Sequence, residues 1–297
     1  MKEFSCQFGD GDRLAGIVTR PDTPGRRAAF VLVTAGLSPK SGPFRLYAEL
    51  ARRLSRDGFL TLRFDLGGIG DSRPEDTNDP LEKRTGREIA AAVDYLTAHH
   101  ELDDIILGGL CSGAEDSFRA AELDARVTGV VMMDPFAYKT SGWIWRHLAY
   151  RATRRLLRAL WIHRPFVRSP AARTTGPKGR RPLVAYKYMD HSESSRILRA
   201  VLKRRGHVHF VYTGGAREVF NHERQLKAMF REVEFDGLVT LDHVPHVEHT
   251  QLLEEDRRTL VEAIARRLTW AGRPGGEARA RSDKPGAPGG PWQTASR

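Results

Sequence analysis

The stretch that most constrains this chain is Gly108-Gly109-Leu110-Cys111-Ser112-Gly113-Ala114. The apolar run Asp104-Ile105-Ile106-Leu107 before it reads as a short buried strand. After it, Glu115-Asp116-Ser117-Phe118-Arg119-Ala120-Ala121 reads as a helix with acids in its first turn, where the helix dipole favours them. Strand, tight glycine-flanked turn and helix are the setting in which G-x-nucleophile-x-G presents a reactive side chain at a sharp bend. Small flanking residues allow the bend, and the helix N-terminus supplies backbone N–H groups for a developing oxyanion. Centring the motif on Cys111 puts Gly109 and Gly113 at the flanks, whereas centring it on Ser112 puts Leu110 and Ala114 there, and Leu110 would crowd the turn. Cys111 is therefore the better nucleophile. The plainer alternative is a buried structural cysteine beside an ordinary strand-to-helix turn, because free cysteine is among the most buried residue types.

Around this motif the chain alternates strands and helices. Residues 4–20 alternate about Gly9-Asp10-Gly11-Asp12, which predicts an antiparallel hairpin. Residues 28–34 are continuously apolar, as a central parallel strand buried on both faces requires. A helix is expected over 43–54, closed by Gly58, and a strand over 59–64, ending at Asp65-Leu66-Gly67-Gly68-Ile69-Gly70-Asp71-Ser72. A helix over 84–99 leads into the motif, and a strand over 127–133 ends at Asp134-Pro135. Strands resume at 207–213 and 238–241, with a last helix over 252–270. The pattern predicts an α/β fold with a doubly wound, mostly parallel sheet, its core spanning 1–137 and 207–270. Residues 138–206 break the alternation and are expected to form a basic helical lid over the carboxyl ends of the strands, where ligands bind. From 271 to 297 the chain is rich in Gly, Pro, Arg and Ser and reads as a disordered tail.

Charge narrows the partners. The formal net charge is +11, and the segment from Lys139 to Arg205 holds 18 Lys and Arg against two acids, Asp190 and Glu193, so it alone exceeds the whole-chain surplus. A phosphate-bearing cofactor, an acidic carrier protein, nucleic acid or a membrane surface would suit it; a solvated basic face is the bland alternative. Trp143, Trp145, Tyr150 and Trp161 lie among its arginines, but no nucleic-acid motif accompanies them, and no nucleic acid is expected. Two cysteines, Cys6 and Cys111, make neither a disulfide framework nor a zinc cluster. No stretch approaches the length of a membrane span and Met1-Lys2-Glu3-Phe4-Ser5 opens no signal peptide, so a cytoplasmic enzyme with a reduced thiol is expected.

In this order the pieces resemble the α/β-hydrolase superfamily, and within it the serine-aminopeptidase-like or lysophospholipase-like branch, over about residues 4–137 and 207–270. The likeness is carried by Gly42-Pro43-x-Arg45-Leu46-Tyr47, by Leu62-Arg63-Phe64-Asp65-x-x-Gly68-x-Gly70-Asp71-Ser72, by the elbow at Cys111, and by a late histidine before a final helix. Some members, dienelactone hydrolases and polyhydroxyalkanoate synthases among them, place cysteine at the elbow. The resemblance implies a general base late in the chain. His243, His246 and His249 compete, and Glu248-His249-Thr250, just before the final helix, resembles the family's acidic-His-Thr turn. Their spacing of three also invites a metal reading, but no Cys or placed carboxylate supports one. An acid is expected after Tyr212-Thr213-Gly214-Gly215, where this chain has Ala216-Arg217 instead. Glu218 or Asp134 could replace it. The oxyanion hole would use the N–H of Ser112 and, by resemblance, that of Gly36 or Leu37. Glu115 and Asp116 would oppose a thiolate at Cys111, which the helix dipole and an imidazole would favour.

The activity implied is acyl transfer: hydrolysis of an ester or thioester, or transfer to another acceptor, as a thioesterase or acyltransferase would perform. Thioesters suit a thiol nucleophile, and the basic segment suits the phosphates of acyl-coenzyme A or an acyl carrier protein. No cofactor is implied. A non-catalytic binding protein on the same scaffold is the second reading, motivated by the missing acid.

Overall fold

The hairpin forms as expected: β1 (Lys2–Phe8) and β2 (Leu14–Arg20) pair antiparallel, with Phe4 opposite Val18 and Phe8 opposite Leu14. Six further strands follow: β3 (Ala28–Val33), β4 (Leu60–Phe64), β5 (Asp104–Leu110), β6 (Val127–Met133), β7 (His207–Thr213) and β8 (Val239–Val244). They are mutually parallel and form one sheet with the hairpin in the order β1-β2-β4-β3-β5-β6-β7-β8. The structure, a computed structural model, describes residues 1–22, 26–160, 189–249 and 251–272.

Every residue of β3 and β6 is buried, as strands covered by helices on both faces must be. On one face lie α1 (Leu46–Arg56) and the last helix (Glu254–Arg267), which pack Leu46, Leu50 and Leu54 with Leu260, Val261 and Ile264. On the other lie α2 (Leu81–His99), α3 (Ser112–Leu123) and α5 (His191–Lys203), which bury Ile89, Val93, Phe118, Leu198 and Val201. The first helix starts three residues later than its periodicity predicts. Phe44 and Arg45 adopt positive φ of 44° and 72°, which forces a short 3-10 turn before α1.

The lid segment divides differently from its charge pattern. Helix α5 belongs to the core: Ile197, Leu198, Val201 and Leu202 are buried against α3 and β7. Its stripe of apolar residues, not its basic face, decides its place. Helix α4 (Ser141–Leu160) leaves from the carboxyl end of β6 and leans on the loop after β7, where Arg146 Nε donates to Asn221 Oδ1 at 3.0 Å. Residues 161–188 of the expected lid, and the tail from 273, lie outside the described residues. The first two residues of that expected tail belong to the fold: Ala271 is buried and Gly272 N donates to Asp104 Oδ2 at 2.8 Å. Among the described residues, no helix is long and apolar enough to cross a membrane.

Winding outward from β3 to β4, then back across to β5, leaves a crevice at the carboxyl ends of β3 and β5, the switch point where such sheets bind ligands. One buried side chain ties its two rims. The Tyr47 hydroxyl donates to Val33 O at 3.0 Å and accepts from Leu110 N at 2.9 Å, in the residues just before the turn. Replacing Tyr47 with Phe leaves a buried N–H and C=O unpaired. Tyr47→Phe should lower the unfolding free energy by about 1–3 kcal/mol, read as a reduced urea midpoint with an unchanged slope. An unaltered midpoint would mean that this bridge carries no weight.

Candidate active site

Cys111 stands between β5 and α3 with φ 53° and ψ −118°, a conformation that L-residues avoid and that costs of the order of 1–3 kcal/mol. Packing holds it there. A Cβ on Gly113 would lie 2.4 Å from Val33 O, and one on Gly109 would lie 2.5 Å from the carbonyl carbon of Gly113, so only glycine lets the turn sit this close to β3. The Cys111 N–H is fixed on Met133 O at 2.8 Å. The thiol is half-buried at the bend. Ser112 is the first residue of α3, and its buried Oγ accepts the Gly36 N–H at 3.0 Å.

The structure brings Cys111, His249 and Asp134 together. His249 and the Cys111 side chain meet in one cleft and interact, and the His249 Nδ1 lies 2.7 Å from Asp134 Oδ2. Asp134 follows β6 with φ 45°, is 7% exposed, and accepts from Thr213 N and Thr213 Oγ1, both at 2.6 Å. Glu218, the other candidate acid, ends an exposed 3-10 turn away from this chain of contacts and does not pair with His249. The two glycines that directly follow β7 are crowded by the histidine loop. A Cβ on Gly215 would come within 2.2 Å of the His249 Cβ, and one on Gly214 within 2.3 Å of Pro245 O. The histidine loop therefore lies directly on the end of β7, and the carboxylate comes from β6. The other two histidines do not join the site. His243 sits in β8, edge-on to Phe220 at 5.4 Å, with burial pushing its pKa down, and His246 is exposed.

The loop holding His249 is itself anchored. Gly214 N donates to Val247 O at 2.7 Å, Glu248 N donates to Asp256 Oδ2 at 3.1 Å, and Arg257 Nη1 donates to the Gln251 and Leu252 carbonyls. The Asp65–Ser72 run does comparable work for the loop after β3. Buried Asp65 accepts from Lys40 N at 2.5 Å and Lys40 Nζ at 2.6 Å, and from Asp71 N at 3.0 Å. That loop carries Gly36 and Leu37. The Gly36 N–H is engaged by Ser112 Oγ, and Gly36 and Leu37 both line the cleft.

The acids expected to oppose a thiolate have partners of their own. Glu115 Oε2 accepts from Met189 N at 3.0 Å and is 1% exposed. Asp116 lies 3.5 Å from Arg119 Nη1, and burial pushes its pKa up to about 7 despite that cation, with Glu115 and Glu82 adding to the rise. Cys111, His249, Ser112, Gly36, Leu37 and Asp116 line one cleft of about 450 Å³.

Hydrogen bonds to Asp134 and then to Cys111 raise the His249 pKa from 6.5 to about 10, against the lowering effect of burial. A raised folded-state value favours the folded protein fully below pH 6.5, and that contribution fades as the pH rises through about 10. In Asp134→Asn, the NMR titration midpoint of His249 should fall towards 6.5 and the loss of stability over this alkaline window should flatten. A midpoint unmoved by the substitution would contradict the pairing.

With this geometry in hand, comparison with known proteins adds the following. No family model matches the chain. A stretch of 84 residues is 31% identical to the uncharacterized protein YcjY of Escherichia coli (strain K12), covering 27% of this chain, which spans only 27% of the length of that protein. Solved structures agree over nearly the whole chain at low identity. An esterase of Pyrococcus furiosus superposes with a TM-score of 0.59 at 13% identity, covering 92% of each chain. A dienelactone hydrolase from Anabaena variabilis gives 0.55 at 12% identity, covering 92% of this chain and 99% of its own. An α/β serine hydrolase without a lid from Xanthomonas campestris gives 0.54 at 14% identity, covering 90% and 94%. Strand order, elbow and these superpositions lead to one conclusion: the chain has the α/β-hydrolase fold.

Proposed function

We propose that this protein is an acyl-transfer enzyme with Cys111 as nucleophile. The observation that carries the reading is the continuous chain from Cys111 through His249 to Asp134. Such a chain can hold sulfur and imidazole as a reactive pair, with the carboxylate fixing the ring. The Cys111 sulfur attacks the carbonyl carbon of an ester or thioester, and the carbonyl electrons move onto oxygen. The N–H groups of Ser112 and Leu37 are the oxyanion donors in this reading. Collapse of the tetrahedral intermediate breaks the bond to the leaving alcohol or thiol, which takes its proton from His249 and leaves an acyl group on sulfur. His249 then accepts a proton from water, or from another alcohol, thiol or amine acceptor. Attack by that acceptor releases the acyl product and regenerates the thiol.

The small-molecule substrate is an acyl ester or thioester, and thioesters suit the soft nucleophile. Exposed Arg151 and Arg155 on α4, with Trp145 73% exposed on the same helix, support a phosphate-bearing or acidic acyl donor such as acyl-coenzyme A or an acyl carrier protein. The non-catalytic alternative rested on a missing acid, and the short His249–Asp134 contact weighs against it.

Incubating the protein with a panel of acyl thioesters and short esters should produce a mass increase at Cys111, with product release. Cys111→Ala should lose the adduct and lower turnover by about 10⁴-fold or more. Alkylation of Cys111 by iodoacetamide near neutral pH should outpace a model thiol. No adduct and no turnover across the panel, with an alkylation rate equal to that of the model thiol, would leave only the binding-protein reading.

A further inference from the structure

Four ionisable side chains besides the thiol line the catalytic cleft: Arg84, Glu88, Asp116 and His249. Three of them have partners within the protein. His249 is held by Asp134. Glu88, 3% exposed, accepts from Arg13 Nη1 at 2.8 Å and from Gly67 N at 2.9 Å. Asp116 is matched by Arg119. Arg84 is the exception. Its side chain makes no ion pair or hydrogen bond among the described residues, and its Nε is buried without a partner. Both cleft carboxylates are thus matched by cations other than Arg84.

A guanidinium N–H withdrawn from water and left unpaired is costly, and an arginine head has the apolar stem and length to reach solvent if nothing else holds it. Nor does the helix call for a cation there. Arg84 lies in the first turn of α2, where the dipole favours acids. The cleft it lines also has an apolar lining, from Leu37, Pro43, Leu66, Ile69 and Leu81. A low-dielectric wall strengthens the pull of a fixed charge on an incoming one. The planar fork formed by the two terminal nitrogens matches two oxygens of one carboxylate or phosphate group.

We infer that Arg84 is the recognition residue for an oxyanion group carried by the substrate, so that the enzyme selects anionic acyl compounds over neutral ones of the same length. The inference rests on the cleft being an acyl-transfer site. The oxyanion has two possible sources, a carboxylate at the far end of the acyl chain or a phosphate on the leaving group.

Two matched pairs separate these sources. The first compares glutaryl with pentanoyl esters of one leaving group. The second compares pantetheine with phosphopantetheine thioesters of one acyl group. Wild-type kcat/KM should favour the anionic member of one pair, and Arg84→Gln should reduce that preference by about 10- to 100-fold, the worth of a charge-assisted hydrogen bond. Arg84→Lys, which keeps the charge but loses the fork, should recover part of it. A preference in the first pair assigns the carboxylate, and one in the second assigns the phosphate. Equal rates within both pairs, or a loss in Arg84→Gln that falls on both members alike, would overturn the inference. Calorimetry on Cys111→Ala with monomethyl glutarate and with phosphopantetheine gives a readout without turnover. Binding of one of them that is lost on adding Arg84→Gln sustains the anion site even if no substrate is turned over. Absence of binding of both, beside measurable turnover of neutral esters, rejects the anion site and leaves the acyl-transfer reading standing.

Discussion

The turn at Cys111 and the end of β3 approach each other so closely that their backbones are in contact, and the rest of the site is arranged around that approach. Val33 O and Thr34 O occupy the space where a side chain on Gly113 would go. The contact does two things together. It holds Cys111 in a backbone conformation that the residue would leave if it could, and it sets the loop after β3 beside the first turn of α3. Strain of this kind persists only when the surroundings over-determine it. Here the surroundings are the β3–β5 pairing, the Tyr47 bridge across its ends and the Cys111 N–H on Met133 O. Loss of any one loosens the geometry that presents the thiol.

The groups that face the sulfur come from three separate strands, and each is fixed by a neighbour rather than by its own segment. Asp134 is locked by Thr213 on β7, and His249 lies on the paired glycines that follow it. The loop after β3 is pinned by Asp65 at the end of β4. Charge follows the same plan. The acids that follow Cys111 on α3 are matched by Arg119 and by the Met189 N–H, so their fields do not fall undiminished on the cleft.

Much of this was written in the order of residues. The glycines around Cys111, the apolar runs of β3, β5 and β6, and the hairpin at the start each have a local cause, so they could be read without coordinates. The acid could not. Its signal lay in what Tyr212-Thr213-Gly214-Gly215 lacks, and the reason for two glycines there is a backbone some 30 residues downstream resting on them. The partner of the Gly36 N–H was hidden for a similar reason: the Ser112 hydroxyl that occupies it lies 76 residues away. Helix α5 falls in the segment expected as a lid because the strand–helix alternation stops at 138, but the buried stripe Ile197, Leu198, Val201 and Leu202 decides where a helix goes. Charge marks what a surface meets and says little about which elements touch.

The Asp134 carboxylate receives Thr213 N, Thr213 Oγ1 and His249 Nδ1, and that combination has a directional result. With Nδ1 on the carboxylate, Nε2 is the ring nitrogen left to meet the Cys111 side chain. Any proton that Cys111 and His249 exchange would therefore pass through that one atom.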